Sequence, residues 1–309
     1  MPIKTKKILK IALPYIFTVL AFYGLVHFTK EVNFSILIDT VFKLPVSIWL
    51  FSIIAFIASH IIRAGRIRSE WNGRLNMPWH VAWAITVRHA SWVILSPFRT
   101  GEAIYVWILN QQGGVSVNVA TKSLIALRLQ DLFVLAIYTA VLFAPGNFLE
   151  KLLYLFIFIG MLVLLMPALI RLVGSKNLLL SIIEEFDCPK YSIKSWIYAA
   201  LNWPVKIFAI SLPLLYLNDI NHLQSIDAAV IGEWSAVIPV QPIAGFGTYE
   251  ASLLLGAQYH GLVMGSNFLA TALCVHMLIL FITITSAWIA AILKWSSIDL
   301  RLKLISNKY

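Results

Sequence analysis

The sequence predicts an all-α polytopic membrane protein: six full transmembrane helices plus two re-entrant helical hairpins in an inverted repeat, within one integral membrane domain spanning residues 1–309. Composition, the placement of lysine and arginine, and the likeness of two broken apolar segments lead to that fold. The chain is 60% hydrophobic and 12% charged, against about 45–50% and about 25% in soluble domains. A soluble chain of this length still exposes roughly a quarter of its unfolded surface, so the apolar excess has to face lipid. Cys188 and Cys274 make no disulfide framework, and no C-x-x-C or zinc spacing is present. Neither redox chemistry, a metal nor another cofactor is expected. A net charge of +10 would suggest nucleic acid in a soluble protein; here its distribution follows a membrane topology, and no nucleic-acid partner is expected.

A spanning helix needs about 20 mostly apolar residues. In chain order the segments 8–29, 44–63, 121–144, 148–172 and 266–293 meet that requirement. The segment 195–217 meets it too, although Asn202, Pro204 and Lys206 interrupt its middle. The first segment is too long for a cleavable signal and lacks a small-x-small site after it. Trp49, Trp71, Trp79, Trp196, Trp288 and Trp295 lie near segment ends, where aromatic belts form.

Lys4, Lys6, Lys7 and Lys10 precede the first span; Arg63, Arg66, Arg68 and Arg74 follow the second. Lys176, Lys190 and Lys194 follow the fourth, and Lys294, Arg301, Lys303 and Lys308 follow the last. The loops 144–147 and 218–224 carry no lysine or arginine. By the positive-inside rule this is a multi-pass protein of the cytoplasmic membrane with both termini inside.

Two apolar segments remain, 77–111 and 225–262, each broken by proline and glycine. Flanking charge requires the first to begin and end inside and the second to begin and end outside. Re-entrant hairpins meeting near mid-membrane satisfy this; two short crossings apiece are the alternative. The breaks resemble each other, Ser96-Pro97-Phe98-Arg99-Thr100-Gly101-Glu102 against Pro242-Ile243-Ala244-Gly245-Phe246-Gly247-Thr248-Tyr249-Glu250. About 25 residues further on, Leu127-Arg128 reads against Leu273-Cys274. The halves are thus about 44–144 and 195–293, with opposite orientation. Inverted repeats with broken helices at mid-membrane are an architecture of secondary transporters.

A charge at bilayer depth costs at least about 2.5–3.5 kcal/mol, so each one needs a reason. Thr100 can cap the half-helix after the first break. The exposed N–H groups there, reinforced by Arg99, suit an anion. Gly101, Gly245 and Gly247 permit close backbone approach, Thr248 is a second candidate cap, and Glu250 lies in the first turn that follows. Both breaks read as half-sites for a phosphate; equally, proline and glycine can merely turn the chain, with Glu102 and Glu250 completing caps. Arg128 and Asp131, three residues apart, either orient their helix as a pair or join the site. Lys206 requires a carboxylate, and Glu102, Asp131, Glu233 or Glu250 can supply it. His89 reads as a packing residue. Arg63 and Arg66, one turn apart, fit lipid phosphate at the interface or simply the positive-inside pattern. No P-loop, metal spacing or nucleophile elbow is present.

With Arg63-x-x-Arg66, Leu95-Ser-Pro-x-Arg-x-Gly-Glu102, Arg128-x-x-Asp131 and Pro242-x-x-Gly-x-Gly-x-x-Glu250 in view, the chain resembles the lysylphosphatidylglycerol synthase transmembrane (flippase-like) family over about residues 8–295, as a stand-alone member without the synthase domain. The resemblance implies a membrane unit that moves a modified phospholipid between leaflets. It also links some stand-alone members to polyprenyl-phosphate sugar lipids. Cys274-Val275-His276 departs from the basic residue expected near the start of the last span.

These readings give a lipid transporter, not an enzyme, that moves an anionic phospholipid or polyprenyl-phosphate lipid through a polar mid-membrane cavity. Arg99, Gly101, Glu102, Arg128, Asp131, Lys206, Gly245, Gly247 and Glu250 are the candidate substrate-binding residues, with Glu102 and Glu250 as gating or proton-coupling carboxylates. The alternative is an enzyme or accessory subunit of lipid-linked glycan assembly. A separate lipid-modifying synthase or glycosyltransferase is a candidate partner.

Overall fold

A computed structural model describes residues 34–157 except 73, 76, 148 and 155, residue 160, residues 193–237 except 219, and residues 242–259 and 266–293. The predicted span 8–29 and most of 148–172 lie outside the described residues, as do the carboxy-terminal basic residues. The described part is all-helical.

Among the described residues, four helices are long and apolar enough to cross a membrane: α2 (Val46–Glu70), α5 (Val117–Leu142), α6 (Ile193–Leu217) and, within α9 (Ser266–Ile292), the stretch Phe268–Ile292. They match the sequence expectations to within a few residues, except that α2 continues seven residues past Arg63. Large apolar side chains on them stay uncovered, Phe281 and Trp288 each 68% exposed. A soluble protein does not leave such faces open, which marks the chain as a membrane protein. A short helix, α1 (Phe34–Lys43), lies where the sequence suggested a loop.

Each broken segment is a helix, a 3₁₀ turn and a shorter helix. The first comprises α3 (Trp79–Leu95), Pro97–Glu102 and α4 (Ala103–Gly113); the second comprises α7 (His222–Val237), Ile243–Gly245 and α8 (Thr248–Gln258). The halves therefore repeat one plan: helices of 25, 17, 11 and 26 residues, then of 25, 16, 11 and 27. The packing is reciprocal. Helix α2 lies along α6, α3 packs on α9 of the other half, and α7 packs on α5. The two 3₁₀ turns touch each other.

Close approach decides both hairpins. A Cβ on Gly101 would stand 2.1 Å from the Trp92 carbonyl oxygen, so the first break folds directly onto the backbone of α3. A Cβ on Gly256 would stand 2.6 Å from the Asp227 carbonyl oxygen, which lets α8 lie against α7. Helix α6 continues through Pro204. That proline lacks the N–H that would bond the Ala200 carbonyl, and Tyr138 of α5 donates its hydroxyl to this carbonyl instead, at 3.1 Å.

Candidate functional site

The touching breaks are strained. Phe98 and Arg99 have φ of 51° and 55°, and Ala244 has 58°, left-handed values that cost a residue with a side chain about 1–2 kcal/mol each. Strain of this kind persists where surrounding contacts over-determine it, and it clusters at ligand sites. Gly245 and Gly247 take φ of 72° and 82° without that cost.

Beside the breaks is a cavity of about 110 Å³, room for several waters or one phosphate group. Arg63, Arg99, Arg128 and Lys206 line it as cations, Asp131 and Glu233 as carboxylates, with Trp203, Tyr249 and His276 among the remaining wall.

On the first-half side, Glu102 is ringed by bases. Arg99 Nη2 and Arg128 Nη2 each lie 2.7 Å from its Oε1, and His89 Nε2 is 2.7 Å from its Oε2. Arg128 Nη1 also reaches Asp131 at 3.3 Å. Asp131 is held more closely by Arg66 Nη1, at 2.6 Å. Arg66 spends its other donors on Gln130 at 3.0 Å and on the Leu127 carbonyl. Ser195 of α6 donates to the same Gln130 oxygen at 3.0 Å, tying the network to the second half.

On the second-half side, Lys206 meets Glu233 at 2.5 Å; of the four carboxylates the sequence offered it, this is the partner. Glu250 accepts from the Gly247 N–H at 2.8 Å, capping α8, and its other oxygen lies 2.6 Å from His276 Nδ1. The Tyr249 ring stacks near His276 with centroids 4.6 Å apart.

Several expectations change. Thr100 does not cap α4: its hydroxyl donates to the Pro97 carbonyl at 3.0 Å, and Thr248 likewise turns to the Gly245 carbonyl at 2.9 Å. In both turns the hydroxyl closes the 3₁₀ loop, the nearest acceptor being three residues back. His89 is more than a packing residue, because it bonds Glu102. Arg66 is 3% exposed and faces inward, not toward lipid phosphate, because Asp131 and Gln130 of α5 lie opposite it. Arg99 is not free to receive an anion alone, since its guanidinium is bonded to Glu102.

Of the residues singled out by sequence, Arg99, Glu102, Arg128 and Asp131 form one network and Lys206 faces it across the cavity. Gly101 positions the first break, while Gly245 and Gly247 shape the second. Glu250 stands one residue behind the wall, reached through His276. Sequence reasoning missed His276, Arg63 as a cavity residue and the Ser59–Asn202 bond of 2.7 Å between α2 and α6. A signal for His276 existed. Arg128 lies 26 residues after Glu102, and His276 lies 26 residues after Glu250; each bonds its glutamate.

Arg63 completes the site. Unlike the other cations of the cavity, its guanidinium makes no hydrogen bond or ion pair with any described residue. The cavity wall carries four cations (Arg63, Arg99, Arg128, Lys206) against two carboxylates (Asp131, Glu233). A cavity lined by more guanidinium and ammonium groups than carboxylates can hold an anion. Comparison of the sequence with protein-family models and with curated proteins gives no match.

Proposed function

We propose that the chain is a lipid transporter that moves an anionic phospholipid or polyprenyl-phosphate lipid between the leaflets of the cytoplasmic membrane, its phosphate passing through the cavity between the two breaks. The carrying observation is Arg63, a cation with no hydrogen bond or ion pair among the described residues, in a cavity lined by four cations and two carboxylates. Arg63 binds the phosphate, and the Glu102 network fixes Arg99 and Arg128 beside it. Lys206 leaves Glu233 in exchange for the anion when the lipid enters.

In this reading the broken pairs are re-entrant hairpins of opposite orientation. Helices α4 and α8, with 11 residues each, are about 17 Å long, too short for a hydrocarbon core of about 30 Å. Their irregular turns line a cavity, the condition under which broken backbone is tolerated at membrane depth. The repeated plan of the halves and the resemblance to the lysylphosphatidylglycerol synthase transmembrane family support the same reading. Six crossings with both termini in the cytoplasm, and a separate synthase or glycosyltransferase as partner, belong to it.

The test is reconstitution into liposomes with headgroup-labelled phosphatidylglycerol or polyprenyl phosphate, with radiolabelled inorganic phosphate as a separate arm. The wild type moves the lipid, and Arg63→Ala slows it at least tenfold. Equal rates for the two proteins defeat the site assignment. Passage of inorganic phosphate without lipid movement replaces the lipid with a small-ion substrate.

A further inference from the structure

The two halves of the cavity carry different kinds of charge. Around Glu102 and Asp131 the bases are Arg66, Arg99 and Arg128, with Arg63 beside them. Guanidinium groups stay protonated at any physiological pH, so this side is positive by a fixed amount. Around Glu233 and Glu250 the bases are Lys206 and His276. With His276 neutral, that side has one cation against two carboxylates and is negative, which opposes an anion entering the cavity. One proton on His276 removes the opposition.

The geometry provides for that proton. His276 Nδ1 lies 2.6 Å from a Glu250 oxygen, which fixes the ring, and its Nε2 has no hydrogen-bond partner among the described residues. The imidazole lines the cavity. Taking up H⁺ at Nε2 converts neutral His276 into an imidazolium held by the Glu250 carboxylate; giving up that proton restores the starting pair.

Helix α8 presents Tyr249 beside the ring, α7 presents Glu233, and α6 presents Lys206. Helix α2 contributes Arg63 at the cavity and His60, which bonds Thr283 two turns along α9 at 3.3 Å. Across the cavity stand Arg99, Arg128 and Asp131. On α3, His89 is turned to Glu102, and on α1 Asp39 and Lys43 are exposed. His276 is the histidine that joins the cavity to the negative half.

Resting on the transporter reading, we infer that lipid movement is coupled to a proton taken up at the Glu250–His276 pair, and not at Glu102. The proton enters with the anion and leaves with it, so a pH gradient drives the lipid.

The experiment uses the full chain in liposomes with labelled phosphatidylglycerol, the membrane potential held at zero by valinomycin and equal potassium. With one proton per lipid, a gradient of one pH unit shifts the steady-state ratio of labelled lipid between leaflets roughly tenfold. His276→Gln and Glu250→Gln leave that ratio unmoved, whereas His222→Gln, at an exposed histidine that opens α7, still follows the gradient. A wild type that moves lipid without responding to the gradient overturns the coupling and leaves the transporter reading intact. A wild type that moves no lipid overturns both. His276→Gln that still follows the gradient overturns the assignment to this pair. Calorimetry on the wild type with farnesyl phosphate, in buffers of different ionisation heat, needs no variant. Net proton uptake on binding is expected, and none overturns the inference.

Discussion

At the first break, Glu102 is surrounded by Arg99, Arg128 and His89; at the second, Glu250 is met by His276 and the Gly247 N–H, while Lys206 pairs with Glu233. Both breaks use one plan, a 3₁₀ turn, a glutamate and a base 26 residues later. One half has filled the plan with arginines and the other with groups that can exchange protons. A shared backbone device therefore need not imply a shared electrostatic role: the first half holds charge, and the second adjusts it.

The largest effect expected is on the first break itself. Gly101→Ala drives a methyl group into the Trp92 carbonyl at 2.1 Å, backbone against backbone, and costs about 3 kcal/mol or more. Gly245→Ala meets the strain of φ 72°, about 1–2 kcal/mol. Unfolding midpoints in detergent rank the two, and a Gly101→Ala protein as stable as Gly245→Ala would contradict the packing described.

The charge networks differ next. The pair of changes Lys206→Met with Glu233→Gln removes an ion pair whose carboxylate has one further, long bond, from the Tyr249 hydroxyl at 3.5 Å, and shifts stability by about 1 kcal/mol or less, since replacing both partners is often neutral. The matching pair Arg66→Met with Asp131→Asn abandons Gln130, the Leu127 carbonyl and Arg128, and costs about 3–5 kcal/mol. Equal losses in the two doubles would mean that the halves are not organised differently.

His276→Arg makes the second half a copy of the first. Farnesyl phosphate is expected to bind several-fold tighter, because arginine adds a permanent cation. Calorimetry of the variant beside the wild type reads this directly; equal affinities would mean that the charge at this position does not reach the anion. Smallest is Ser59→Ala, which removes the 2.7 Å bond to Asn202 across the seam between the halves. It lowers stability by about 1 kcal/mol, again as an unfolding midpoint.

Much of the fold was legible because hydropathy and breaker residues are local signals. The spans at 121–144, 195–217 and 266–293 agree with α5, α6 and α9 within a few residues, and both turns fall at the prolines and glycines that marked them. The end of α2 was misplaced because Arg63, Arg66 and Arg68 read as a membrane boundary. Their charge is visible in sequence, but the α5 carboxylate that lets Arg66 turn inward is 65 positions away. The same distance hid the site. Glu102, Arg128, Asp131 and Lys206 stood out as charges in apolar surroundings, yet which carboxylate met which base was open until α5, α6 and the breaks came together.

Sequence alone determined that the chain is helical and membrane-embedded, and where two of its helices break, because each of those facts is written in a run of neighbouring residues. Only the tertiary structure decided that Arg63 lines the cavity, that Lys206 belongs to Glu233 and that His276 does for Glu250 what Arg128 does for Glu102. Charge pairing depends on distances of 3 Å between residues far apart in the chain, and no local pattern encodes them.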